Sequence, residues 1–133
     1  MARPQRSGRE RWILAICLLG GVLLTIIGIR FFLVPDLAAY TFGVADRPAG
    51  QELHYIIGLR DIWLGLLAIG LAALCQWRAL ALWFGLGTVV CFADAGIAAS
   101  SSGKLAPVAF HVGAGFACLA LTLVTLRIGR REA

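Results

Sequence analysis

Four long apolar runs divide the chain: residues 12–34, 54–75, 79–99 and 105–128. The first, WILAICLLGGVLLTIIGIRFFLV, is closed by Pro35. A bilayer core of ~30 Å is crossed by about 20 helical residues rising ~1.5 Å each, so each run is long enough to span it. The runs are continuous rather than alternating, which excludes the period-2 pattern of a barrel strand. A lone segment in lipid must satisfy its own backbone groups, and only a helix does so. The pattern therefore predicts an all-α fold: a four-transmembrane-helix antiparallel bundle forming a single domain over 12–128, with short basic tails at 1–11 and 129–133.

Composition agrees with lipid as the main solvent. The 133 residues are 60% hydrophobic and only 14% charged, against roughly 45–50% and about 25% in soluble domains. The net charge of +5 does not point to nucleic acid, because the basic residues flank the apolar runs instead of forming a patch. Eight of the twelve basic residues fall on one side of the predicted bundle: Arg3, Arg6, Arg9, Arg11, Arg78, Arg127, Arg130 and Arg131. The positive-inside rule then puts both termini in the cytoplasm and the 35–53 loop outside; the location expected is a bacterial inner (plasma) membrane. The first run is too long for a secretory h-region of about 7–15 residues, so it reads as a retained helix despite the LAA at 37–39. The 35–53 loop carries turn signals at Phe42-Gly43 and at 48–50, and its apolar half is expected to lie back on the membrane surface. The tight connections QWR and SSSGK predict that consecutive helices are antiparallel neighbours.

The polar residues that break the runs carry the chemistry. Arg30 lies in the first, His54 and the pair Arg60-Asp61 in the second, Asp94 in the third and His111 in the fourth. Counted from the outer end of each helix, Arg30, Arg60, Asp61, Asp94 and His111 fall in one layer, roughly 6–11 Å deep at ~1.5 Å per residue. Steps of three and four from Asp61 pass through His54, Gly58, Gly65, Ala68 and Ala72. The corresponding stripes are Gly87, Cys91, Asp94, Ala98 and Ser101 in the third run, and His111, Gly115, Cys118 and Thr122 in the fourth. Small residues mark the faces on which membrane helices approach closely, so Asp61, Asp94 and His111 are expected to point inward. Arg60 sits about 100° from Asp61 and could reach a neighbouring helix or snorkel to the surface. Arg30 reads as a snorkelling residue, and His54 as the polar residue that opens a helix.

An ionisable residue inside a span costs ~2.5–3.5 kcal/mol at the centre and less near the interface. Two readings of the layer follow. Asp61 and Asp94 with Arg30 and Arg60 sum to zero charge, so they could form a neutral network that sets helix register. Alternatively the layer is a functional pocket. In that reading Asp61, Asp94 and His111 are the acid–base candidates, and Arg60, Arg30, His54 and Tyr55 are the substrate-contacting ones. No HxxE, HxxxH or CxxC spacing supports a metal, and no cofactor is implied. The GLG and GAG triplets lie mid-span and read as packing, with no GxSxG or phosphate loop. Cys17, Cys75, Cys91 and Cys118 are unclustered and read as small packing residues.

With Phe42-Gly43 in the outer loop and Gly58, Arg60 and Asp61 early in the second helix, the chain resembles a family of small bacterial and fungal four-helix membrane proteins. That family is described only as a domain of unknown function. More distantly, the chain is similar to DoxX-like membrane proteins. The likeness implies a four-helix bundle in which the Arg-Asp pair is a hallmark, with Asp94 and His111 as further members. Some relatives are similar to tailoring components of natural-product pathways, which implies a small hydrophobic substrate. Three functions are then open. The first is a membrane protein that binds or transforms a small lipophilic molecule by acid–base chemistry of the isomerase or cyclase kind. The second is a proton-coupled small transporter, expected as a homo-oligomer because four helices enclose little volume. The third is a non-catalytic accessory subunit. The expected surroundings are membrane lipid, with no nucleic-acid partner.

Overall fold

The computed structural model describes residues 7–44 and 51–131. Among the described residues the chain forms five helices and no strand: α1 (Gly8–Leu33), α2 (Pro35–Phe42), α3 (Glu52–Ala73), α4 (Trp77–Ser101) and α5 (Leu105–Arg131). Four of them, α1, α3, α4 and α5, are long and apolar enough to cross a membrane. The turn signals expected at 48–50 lie outside the described residues.

The helix ends follow local chemistry. Ser7 and Glu10 form a reciprocal capping box that starts α1 four residues before the apolar run. α5 runs on through Arg130 and Arg131, where positive charge suits the negative end of the helix dipole. The turn between α3 and α4 is a Schellman cap: Gln76 N–H donates to Leu71 O at 2.9 Å and Cys75 N–H to Ala72 O at 3.0 Å. Cys75 takes the left-handed position usually held by glycine, at φ 56°. Pro35 at the first position of α2 turns the segment after α1 into a separate short helix, where the sequence suggested only loop and turns.

Consecutive spans are not all close neighbours. α1 packs along α3 and α4 along α5, while α3 and α4 touch sparsely despite their tight connection. The α1–α3 seam is made by paired glycines. Gly21 lies on the backbone of Gly65, and Gly28 on that of Gly58. Dispersion between closely approaching backbones substitutes in lipid for the missing hydrophobic drive. Between α4 and α5, Phe92 lies over Gly115, and Gly129 packs on Trp77 and Arg78. The two pairs are joined at the end that carries the chain termini. Ile13, Leu14 and Cys17 of α1 meet Ala72 of α3, Trp77, Leu80 and Phe84 of α4, and Ile128 of α5. At the opposite end, α2 connects the pairs.

Candidate functional site

The short helix α2 is held from both sides. Arg30 Nη2 donates to Thr41 Oγ1 at 3.4 Å, tying α2 to the end of α1. Arg30, half-buried, thus serves as a tether rather than a free snorkelling group. On the far side, His111 Nε2 lies 3.1 Å from the Phe42 carbonyl, which fixes that nitrogen as the donor. The His111 and Phe42 rings meet edge to face with centroids 4.6 Å apart. Gly43 caps α2 at φ 104°, and a Cβ there would come within 2.7 Å of Ala98 Cβ and 2.9 Å of Pro107 Cβ. Only glycine combines that dihedral with so close an approach, so the Phe42-Gly43 turn signal marks the seat of α2 on α4 and α5. Lys104 adds a contact from the α4–α5 turn, its ammonium 3.5 Å from the Tyr40 ring centroid. The same ammonium, by hydrogen bonding first and by charge second, holds the exposed Tyr40 phenol below its usual pKa.

Beneath α2 lies a cavity of about 230 Å³ between the two helix pairs. Its walls come from Phe31 of α1, Ala39 and Phe42 of α2 with Val44 beyond it, Leu53, His54, Ile57 and Arg60 of α3, and Asp94 and Ile97 of α4. The wall is mostly apolar, with three polar side chains. It occupies the place where α3 and α4 fail to pack closely.

The stripe His54, Gly58, Asp61, Gly65, Ala68 and Ala72 is the buried face of α3 in full. Asp61 is 5% exposed and accepts a bond from Arg60 Nε at 3.0 Å, the ion pair being formed by sequence neighbours. Arg60, 43% exposed at its side chain, leans back on Asp61 and still reaches the cavity wall. Asp94 is half-buried and lies within Coulombic reach of Arg60, His111 and Asp61. Among the described residues no hydrogen bond or close ion pair reaches it.

His54 departs furthest from its expected role as an interfacial helix opener. It is 4% exposed, lies against the Phe31 ring at 6.2 Å between centroids, and neither ring nitrogen has a hydrogen-bond partner. A buried polar group without a partner costs of the order of 1–3 kcal/mol, so an orphaned imidazole on a cavity wall is an informative defect. Tyr55, by contrast, is exposed, stacks on Phe32 at 5.3 Å and donates to Gln51 Oε1 at 2.9 Å, away from the cavity.

The polar layer therefore separates into two groups. His54, Arg60 and Asp94 stand on the cavity wall. Asp61 sits behind Arg60, and His111 behind Phe42, each engaged in holding its neighbour. Phe31, Ile57 and Ile97 complete the site with Phe42, and nothing in the apolar character of these three distinguished them from core residues. Among the described residues no three His, Cys, Asp or Glu side chains gather as metal ligands. The four cysteines are all free thiols.

No curated protein and no solved structure matches the chain. A family model does, over residues 21–125, from the first seam glycine of α1 to Thr125 of α5, and so includes α2, the cavity and the whole polar layer. The chain belongs to the family described as Domain of unknown function (DUF4267).

Proposed function

We propose that this protein is an integral membrane protein, of a bacterial inner membrane, that binds a small lipophilic molecule in the cavity under α2. By the distribution of basic residues, that cavity opens towards the outer leaflet, with both termini in the cytoplasm. The observation that carries the reading is His54: a buried imidazole with two unpartnered nitrogens on the wall of a largely apolar cavity. A ligand polar group is the partner that would remove its desolvation cost. The volume of about 230 Å³ is below the ~300 Å³ at which drug-sized sites begin, which suits a small molecule or one end of a longer one.

A carboxylate and an imidazole facing the same ligand can pass a proton through it, so Asp94 and His54 are the pair on which acid–base transformation of the isomerase or cyclase kind would rest. Arg60, held against Asp61, would contact the ligand from the same wall. His111 and Asp61 are positioning residues in this reading, since each is already bonded to the residue that forms the wall.

Native mass spectrometry of the full chain released from mild detergent tests the reading. The wild type is expected to retain a small lipophilic molecule. Ile57→Trp, which puts an indole into the cavity, is expected to lose it while remaining folded. A wild type free of any bound molecule, or identical adducts on the filled variant, would refute it. Dissipation of a pH gradient in proteoliposomes, abolished by Asp94→Asn, would instead favour a proton-coupled transporter.

A further inference from the structure

The polar groups around the cavity do not balance, and the imbalance says what kind of ligand fits. Two carboxylates, Asp61 and Asp94, share the neighbourhood of one guanidinium, Arg60. Asp61 takes the Nε of that guanidinium at 3.0 Å. His111 is a further neighbour of Asp94, and its Nε2 is occupied by the Phe42 carbonyl. The two carboxylates together carry one formal negative charge more than Arg60 supplies, and Asp94 is the one left without a hydrogen bond or close ion pair.

Hydrogen-bond capacity points the same way. A carboxylate only accepts, and a neutral imidazole keeps one accepting nitrogen. Asp94 and His54 thus both offer acceptors to the cavity. Two aromatic rings, Phe31 and Phe42, complete the wall on the α1 and α2 sides, and aromatic faces attract cations.

We propose that the cavity takes a lipophilic cation, a small protonated amine whose ammonium donates to Asp94 and His54 while its apolar body lies among Phe31, Phe42, Ile57 and Ile97. The inference rests on the reading of the cavity as a ligand site and names the class of ligand. An aliphatic amine has a pKa near that of lysine, about 10, and so arrives charged. Two of its three N–H donors meet these two acceptors, and its charge is the positive one that the group lacks. A hydroxyl would leave the charge of Asp94 uncompensated, and a carboxylate would add a second negative charge to it.

Three probes with nearly the same apolar body separate these cases: 2-phenylethylamine, 2-phenylethanol and phenylacetate. Each is titrated at neutral pH and low ionic strength against the full-length protein in detergent, with dialysis equilibrium and the thermal unfolding shift as readouts. Asp94→Asn is measured in parallel, so that partitioning into micelles cancels. The amine is expected to bind about tenfold more tightly than the alcohol, the difference between a charge-assisted and a neutral hydrogen bond. Asp94→Asn is expected to remove that advantage and leave the alcohol within about twofold. If the variant does not fold, the ranking of the probes on the wild type decides alone. Equal binding of amine and alcohol, or preference for phenylacetate, would overturn the cation assignment and leave the cavity reading intact. Binding of none of the three would overturn both.

Discussion

Replacing Gly43 by alanine tests how α2 is seated above the cavity. Two costs combine. At φ 104° an L side chain is strained, by about 1–2 kcal/mol for a left-handed residue. The new methyl would also lie 2.7 Å from Ala98 Cβ and 2.9 Å from Pro107 Cβ, both on helices that cannot yield by a rotamer change. Overpacking of that kind costs about 1–3 kcal/mol. The reduced freedom of the unfolded chain returns about 0.4–1 kcal/mol, which leaves a net loss of roughly 1–5 kcal/mol. Gly103→Ala is the matched control. Its φ of 62° is also left-handed, but a Cβ there meets nothing closer than Ala99 O at 3.7 Å, so only the dihedral cost applies. Unfolding of the purified protein in detergent is expected to show a larger loss for Gly43→Ala than for Gly103→Ala. Displacing Gly43 also moves Phe42, whose carbonyl is bonded to His111, so the His111 ring resonances should shift in the first variant and stay in place in the second. Equal losses and an unmoved His111 would refute the seating of α2 on α4 and α5.

The α1–α3 seam predicts a second contrast, between Gly28→Ala and Gly20→Ala. At Gly28 a Cβ would meet Gly58 O at 2.6 Å, whereas Gly20 has nothing within 4 Å. Gly28→Ala should lower thermal stability in detergent by about 1–3 kcal/mol, and Gly20→Ala should leave it unchanged or raise it by up to about 1 kcal/mol through helix propensity. At the α2 end, Tyr40 should ionise at lower pH than an ordinary tyrosine, as read by phenolate absorbance, and Lys104→Gln should bring it back to the usual range. Because the folded pKa is the depressed one, the attraction between phenolate and ammonium adds nothing at neutral pH, where the phenol is protonated in folded and unfolded chains alike. Its contribution grows as the pH rises through the lowered pKa and is complete above the ordinary value. A Tyr40 titration that Lys104→Gln leaves unchanged would count against the contact.

Much of the architecture was legible in the residue pattern, for a reason that belongs to the membrane. Lipid allows a spanning segment few conformations, so length and apolarity nearly settle the element type, and all four runs correspond to helices. Small-residue periodicity located the buried face of α3 residue for residue, because close backbone approach leaves room for nothing larger. What the pattern could not contain was pairing. α1 lies on α3 because Gly21 and Gly28 meet Gly65 and Gly58 in register, a match between two segments far apart in the chain. The tight turn after α3, in contrast, did not bring α3 and α4 into close packing.

The site divides along the same line. Asp61, Asp94 and His111 stood out as polar intruders at one depth, and each does face inward, because helical periodicity is a local property. Whether an inward group meets a partner or a cavity is decided by side chains from other helices. His54, which reads from the chain as a helix opener, becomes an orphaned buried imidazole because Phe31 and α2 enclose it. Arg60, ambiguous by angle, is committed by its bond to Asp61 and by the gap between α3 and α4. Periodicity thus placed each side chain on a face, and tertiary packing assigned each face its neighbour, since contact is a relation between segments that no single segment encodes.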